Sequence, residues 1–135
     1  MINGMDASMG LTIDELLAAA RTGMPRVLPE ALAGEQVAGA LVVDIRPVEQ
    51  RHRDGELPGA LVIDRNVLEW RLAPSSPNRV VDLDSERKVI VVCNEGYQSS
   101  LAAATLRQLG VDGATDLVDG YQGLLAMWGE SRPED

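Results

Sequence analysis

Cysteine is almost missing from this chain. Among 135 residues only Cys93 carries a thiol, so no internal disulfide can form. Histidine is as scarce, and His52 together with one cysteine falls short of a zinc ligand set, so neither a metal nor another cofactor is expected. Positive charge is in deficit: 12 Lys and Arg against 21 Asp and Glu give a formal net charge of -9. That balance argues against nucleic acid and against acidic membrane surfaces as partners, because phosphate binding needs clustered cations. No apolar run approaches a membrane span, and the leader MINGMDASMG lacks the basic start and apolar stretch of a secretory signal. The protein is therefore expected in the cytoplasm. Internal repeats and low-complexity tracts are absent too. Cys93 is thus either a small buried residue or a working thiol.

What is present suffices for one compact domain, since 45% of the residues are apolar and a chain of this size buries roughly two thirds of its unfolded surface. Residues 1–10 are small and aperiodic and read as a flexible tail; 11–130 read as a single domain, and 131–135 as a polar tail. Thr12 and Glu15 make a capping box, and Ile13, Leu16, Leu17 and Ala20 follow the stripe of an amphipathic helix ended by Gly23. A weaker helical stretch opens at Pro29 and runs to about Gly39.

Short apolar runs follow: LVVDI (41–45), ALVI (60–63), VIVVC (89–93) and ATDLV (114–118). Runs of this length, rich in Val and Ile and without alternation, mark strands buried on both faces. Helical segments separate them, at Pro47 to about Asp54, Asn66 to Leu72, Ser99 to Leu109, and onward from about Gly120. Residues 74–87 form a long surface loop. Alternating strands and helices imply an α/β domain with a central parallel sheet of about five strands flanked by helices on both faces.

In such sheets, sites form beyond the carboxyl ends of the strands. Cys93 stands there, followed by Asn94, Glu95, Gly96, Tyr97 and Gln98, with Ser99 and Ser100 placed to cap the next helix. A loop curled around the sulfur would aim backbone N–H groups and a helix N-terminus at it, which favours the thiolate without any histidine.

The stretch VVCNEGYQSSLAAATLRQLG resembles the active-site strand, loop and helix of rhodanese domains, whose pattern is Cys-x-x-Gly-x-x-Ser. DIRP at 44–47 is similar to the family's early Asp-x-Arg strand end, GELPGALVI at 55–63 to its Gly-x-Ile-Pro-Gly-Ala segment, and ATDLVDGYQGLLAMW to its closing strand and helix. The order of these segments identifies the chain as rhodanese-like. CNEGYQSSLAAATLRQLG and RNVLEWRL further resemble a bacterial subgroup associated with cysteine dioxygenases, which points to sulfur metabolism and to a protein partner there.

The resemblance implies a sulfurtransferase. Cys93 takes sulfane sulfur from a small-molecule donor, holds it as a persulfide and yields it to a thiol or cyanide-like acceptor, which is covalent catalysis in two half-reactions. N–H groups from Asn94 to Ser99 would hold the anion, Gly96 would permit the turn, and the Ser99 hydroxyl could add a donor. Two residues depart from the common pattern: Gln98 stands where many rhodanese loops have Arg, and Glu95 adds negative charge. Both disfavour thiosulfate and favour a less anionic thiol persulfide, with Arg65 as the candidate replacement cation.

Asp44 and Arg46 are expected to brace loops, His52 to be a solvated helix residue, and Trp70 and Trp128 to be core or pocket wall. Glu95 and Tyr97 should border the entrance. A cysteine phosphatase is disfavoured because Ser99 occupies the position its phosphate-clamping Arg would need. The competing class is a noncatalytic rhodanese-like module that binds a protein or senses oxidants through Cys93.

Overall fold

Four successive apolar residues, Val89–Val92, form a strand in which none is exposed to solvent. Side chains alternate between the faces of a strand, so Val89 and Val91 join one apolar cluster and Ile90 and Val92 another on the opposite side. The computed structural model describes residues 10–131. Its strands are β1 (Leu41–Asp44), β2 (Leu61–Val62), β3 (Val89–Val92) and β4 (Ala114–Asp116), in the order β2-β1-β3-β4 and parallel throughout. The helices are α1 (Ile13–Arg21), α2 (Leu32–Val37), α3 (Val48–Asp54), α4 (Leu68–Leu72), α5 (Gln98–Gln108) and α6 (Gly120–Ser131).

Parallel neighbours need crossover connections, and these supply the two covering layers. Leu68 and Leu72 of α4 pack with Ala102, Ala103 and Leu106 of α5 against Val43, Val89 and Val91. Leu32 of α2 with Tyr121 and Leu124 of α6 packs against Val42, Ile90 and Val92.

Among the described residues the sheet has four strands where about five are expected from the sequence. A fifth position is only begun: Val27 makes a single parallel bridge with Leu117. Its N–H reaches Asp116 O at 2.9 Å and its carbonyl accepts from Val118 N at 2.8 Å. Pro25 lacks an N–H and Pro29 opens a 3-10 turn, so the pairing cannot extend either way.

Helix α1 forms with its capping box, Glu15 N donating to Thr12 Oγ1 at 3.0 Å and Thr12 N to Glu15 Oε1 at 2.8 Å. It lies against α5, yet it buries no residue, and Ile13 and Leu16 of its apolar stripe are exposed. Among the described residues no helix is long and apolar enough to cross a membrane. The expected tails fall outside the described residues except at Gly10 and Ser131.

Truncating Leu106→Ala, in a fully buried position, should cost about 2–5 kcal/mol of unfolding free energy in urea titration. Ile13→Ala, 68% exposed, should change it by no more than about 0.5 kcal/mol; a larger loss would mean that α1 has a buried face.

Candidate active site

Strands β1 and β3 are adjacent, with Asp44 opposite Val92, and their chains leave toward opposite edges of the sheet. This is the crevice where parallel sheets bind ligands. Cys93 stands at its rim, 8% exposed, in a cavity of about 350 Å³ lined by Ile45, Arg46 and Pro47 after β1 and by residues of the Cys93 loop.

The sulfur accepts N–H groups from Gly96 at 3.1 Å and Ser99 at 3.3 Å, while the thiol donates to Ser99 Oγ at 3.2 Å. Ser99 is the second residue of α5, and Tyr97, at the N-cap position, makes no side-chain cap bond. The Cys93 sulfur therefore stands where a capping oxygen would, accepting a first-turn N–H at the positive end of a helix. Ser99 and Ser100, expected as caps, lie inside α5 and are buried. The reason is a competing acceptor: both hydroxyls donate to Asp116 Oδ2 at 2.7 Å.

Asp116 was not legible as a site residue. It ends β4 with no exposed surface and also receives Arg26 Nε at 2.7 Å and Arg26 Nη2 at 3.1 Å. Arg26 Nη2 reaches Gly96 O as well, at 3.1 Å, and Arg21 of α1 donates to Gly96 O at 2.8 Å and to Ser100 Oγ at 2.9 Å. Two guanidinium groups from the N-terminal segment thus grip the loop that carries the thiol. The signal available in the sequence was an acidic residue inside an apolar strand, since buried carboxylates need partners.

Glycine at position 96 is required twice over. Its φ is +89°, and an added Cβ would sit 2.8 Å from Asp119 N. The loop approaches this closely because α6 starts against it: Tyr121 N donates to Cys93 O at 2.9 Å and Gln122 N to Asn94 O at 3.1 Å. Gln122 Nε2 further links Asn94 Oδ1 and Asp54 Oδ2, each at 2.9 Å. The Arg53 guanidinium beside Asp54 holds that carboxyl below the usual range.

The expected site residues divide into two sets. Gly96 and Ser99 contact the sulfur. Asn94, Glu95, Tyr97 and Gln98 line the cavity together with Arg65, and Glu95, Tyr97 and Gln98 are exposed at its entrance. Arg65 is not a free cation: Nη1 pairs with both oxygens of Glu69 at 2.9 Å. Arg46, expected only as a brace, lines the cavity too. It is bidentate on Asp44, donates to Gly55 O at 2.9 Å and stacks 3.7 Å from the Tyr121 ring centre. Burial pushes the Tyr121 phenol up.

His52 is exposed on α3, away from this cavity's lining. Trp70 is pocket wall and not core, 57% exposed, whereas half-buried Trp128 meets Tyr121 edge-on at 5.8 Å. Among the described residues no group of three or more His, Cys, Asp or Glu is placed to hold a metal ion.

A family model described as a rhodanese-like domain matches residues 25–127. The thiosulfate sulfurtransferase GlpE of Stutzerimonas stutzeri is 28% identical over 114 residues, which is 84% of this chain and 93% of that protein. A rhodanese homologue from Thermus thermophilus is 30% identical, with TM-score 0.55 over 74% of this chain and all of the other. A Rhodopseudomonas palustris protein of unknown function, described as a possible tyrosine phosphatase, superposes with TM-score 0.80 at 25% identity, covering 93% of this chain and 97% of that one.

Replacing Asp116 by Ala takes the carboxylate acceptor from the Arg26 guanidinium and from the Ser99 and Ser100 hydroxyls. It should lower stability by about 3–5 kcal/mol in denaturant titration; an unchanged midpoint would remove Asp116 as the brace of the loop.

Proposed function

Because the chain belongs to the rhodanese-like family, whose model spans residues 25–127, we propose that it is a sulfurtransferase that carries sulfane sulfur on Cys93. The observation that carries this reading is the sulfur in the helix-cap position, with the N–H groups of Gly96 and Ser99 directed to it. Fixed dipoles aimed at a sulfur favour negative charge there at no reorganisation cost. They serve a thiolate nucleophile and the persulfide that replaces it.

Ser99 has one hydroxyl proton, so it serves either Asp116 or the sulfur. Asp116 keeps three other donated bonds, from Ser100 and Arg26. Ser99 can therefore turn its proton to a charged sulfur without leaving the carboxylate bare. In the first half-reaction the Cys93 thiolate attacks the outer sulfur of the donor, and the electron pair of the broken bond leaves with the donor remnant. In the second, an acceptor thiol or cyanide attacks that sulfur and the pair returns to Cys93.

Charge selects the donor. The cavity presents two guanidinium groups, each already paired with a carboxylate, Arg46 with Asp44 and Arg65 with Glu69, while Glu95 at the entrance adds negative charge. A dianion such as thiosulfate meets little uncompensated positive charge, so a thiol persulfide is the better donor. A phosphatase reading fares worse. The position for a phosphate clamp holds Ser99, whose hydroxyl is committed to Asp116 and Cys93.

Incubation with a persulfide donor should add one sulfur atom to the intact protein by mass spectrometry, and Cys93→Ser should add none. An enzyme that takes up no sulfur from persulfide or thiosulfate would instead be a binding or redox-sensing module. Gln98→Arg should raise kcat/KM for thiosulfate about tenfold relative to the persulfide donor, the effect of one charge-assisted hydrogen bond. An unchanged ratio would show that the loop charge does not choose the donor.

A further inference from the structure

A second cavity, of about 850 Å³, opens between α4, the loop that follows it and α5. Arg65 and Gln98 line both this cavity and the one that holds Cys93, so the two share a wall. Its size falls in the range of about 300–1,000 Å³ typical of sites for small organic molecules, far more than an anion like thiosulfate fills. Its apolar wall includes Trp70, 57% exposed, and Leu109, 41% exposed. Water gains nothing by covering an indole, whereas a ligand laid against it removes apolar surface from solvent. At the shared wall the Arg65–Glu69 pair presents both signs of charge side by side, and Arg65 Nε is buried with no hydrogen-bond partner among the described residues. Such a pair suits a zwitterion better than an ion of one sign.

We propose that this cavity is the subsite for the organic body of the sulfur donor, a peptide-sized zwitterionic thiol persulfide. The proposal rests on the sulfurtransferase reading and adds where the donor's non-reacting part binds. The body lies against Trp70 and Leu109, its charged ends meet Arg65 and Glu69, and its disulfanyl group passes Gln98 to reach Cys93. In the transfer, the Cys93 thiolate attacks the outer sulfur of R–S–S–H and a new S–S bond forms to Cys93. The S–S bond between the R-bearing sulfur and that outer sulfur breaks, R–S⁻ leaves with the electron pair, and the proton stays on the transferred sulfur. No external oxidant or reductant enters. Binding energy from the body, remote from the reacting sulfur, then serves to orient it.

Thioethers test the subsite without any sulfur transfer, because a methyl group takes the place of the outer sulfur. By calorimetric titration S-methylglutathione, peptide-sized, should bind the wild-type protein at least tenfold tighter than S-methylcysteine. It should also slow alkylation of Cys93 by iodoacetamide. Trp70→Ala removes the apolar wall and Ser75→Trp, at an exposed lining position, fills the cavity; each should erase the tenfold preference. If Trp70→Ala does not fold, Ser75→Trp on the surface loop decides alone. No saturable binding, equal binding of the two thioethers, a preference that survives Ser75→Trp, or binding that leaves Cys93 alkylation unchanged would each overturn the proposal. Failure of Cys93 to accept sulfur from any donor would defeat the sulfurtransferase reading itself, and the binding measurements separate the two outcomes.

Discussion

Asp116 is a carboxylate with no exposed surface, and an ionised carboxylate out of water persists only if its lone pairs are filled. Four donated bonds fill them: two from Arg26, one from Ser99 and one from Ser100. Each partner belongs to a different part of the architecture. Arg26 precedes the single-residue bridge of Val27, the serines form the first turn of α5, and Asp116 ends β4. Satisfying one buried charge therefore fixes an edge of the sheet, the start of a helix and, through the Arg26 and Arg21 bonds to Gly96 O, the loop that bears the thiol. Low local dielectric makes such a network costly to leave half made and correspondingly rigid when complete.

Rigidity below the sulfur contrasts with openness above it. Gly96 and Ser99 are buried and contact Cys93, while Glu95, Tyr97 and Gln98 stand exposed around the same loop. Such a division suits a site whose inner sulfur needs fixed dipoles and whose outer sulfur must be reached by two different molecules in turn. The pairing of Arg46 and Arg65 with carboxylates limits how much anionic charge the entrance can attract. Specificity in this reading lies in what the cavity walls touch, not in a free cation.

Some of this could be read from residue order. Strand β3 was evident because a run of Val and Ile without alternation has no solvated face, and the helix after Cys93 because Leu101, Ala102, Thr105 and Leu106 recur at helical spacing. The loop residues between them follow from chain connectivity, so Asn94 to Ser99 had to lie near Cys93, but connectivity did not say that Gly96 and Ser99 are the ones whose N–H groups point at the sulfur. Less could be read at the margins. The stripe on α1 told which side of that helix is apolar but not how far it is covered: Leu17 and Ala20 are half-buried, while Ile13 and Leu16 stay exposed.

Arg26 and Asp116 are 90 residues apart and share a bond of 2.7 Å; Arg65 and Gln98 come from different crossovers yet wall the same two cavities. By itself the sequence determined the strands, the helices and the thiol loop, because these depend on side-chain periodicity and on residues adjacent in the chain. Only the tertiary structure decided which distant charges neutralise each other, where Ser99 sends its proton and what surrounds the sulfur. Those outcomes depend on burial, which charges every unpaired polar group a desolvation penalty, and burial is a property of the packed whole.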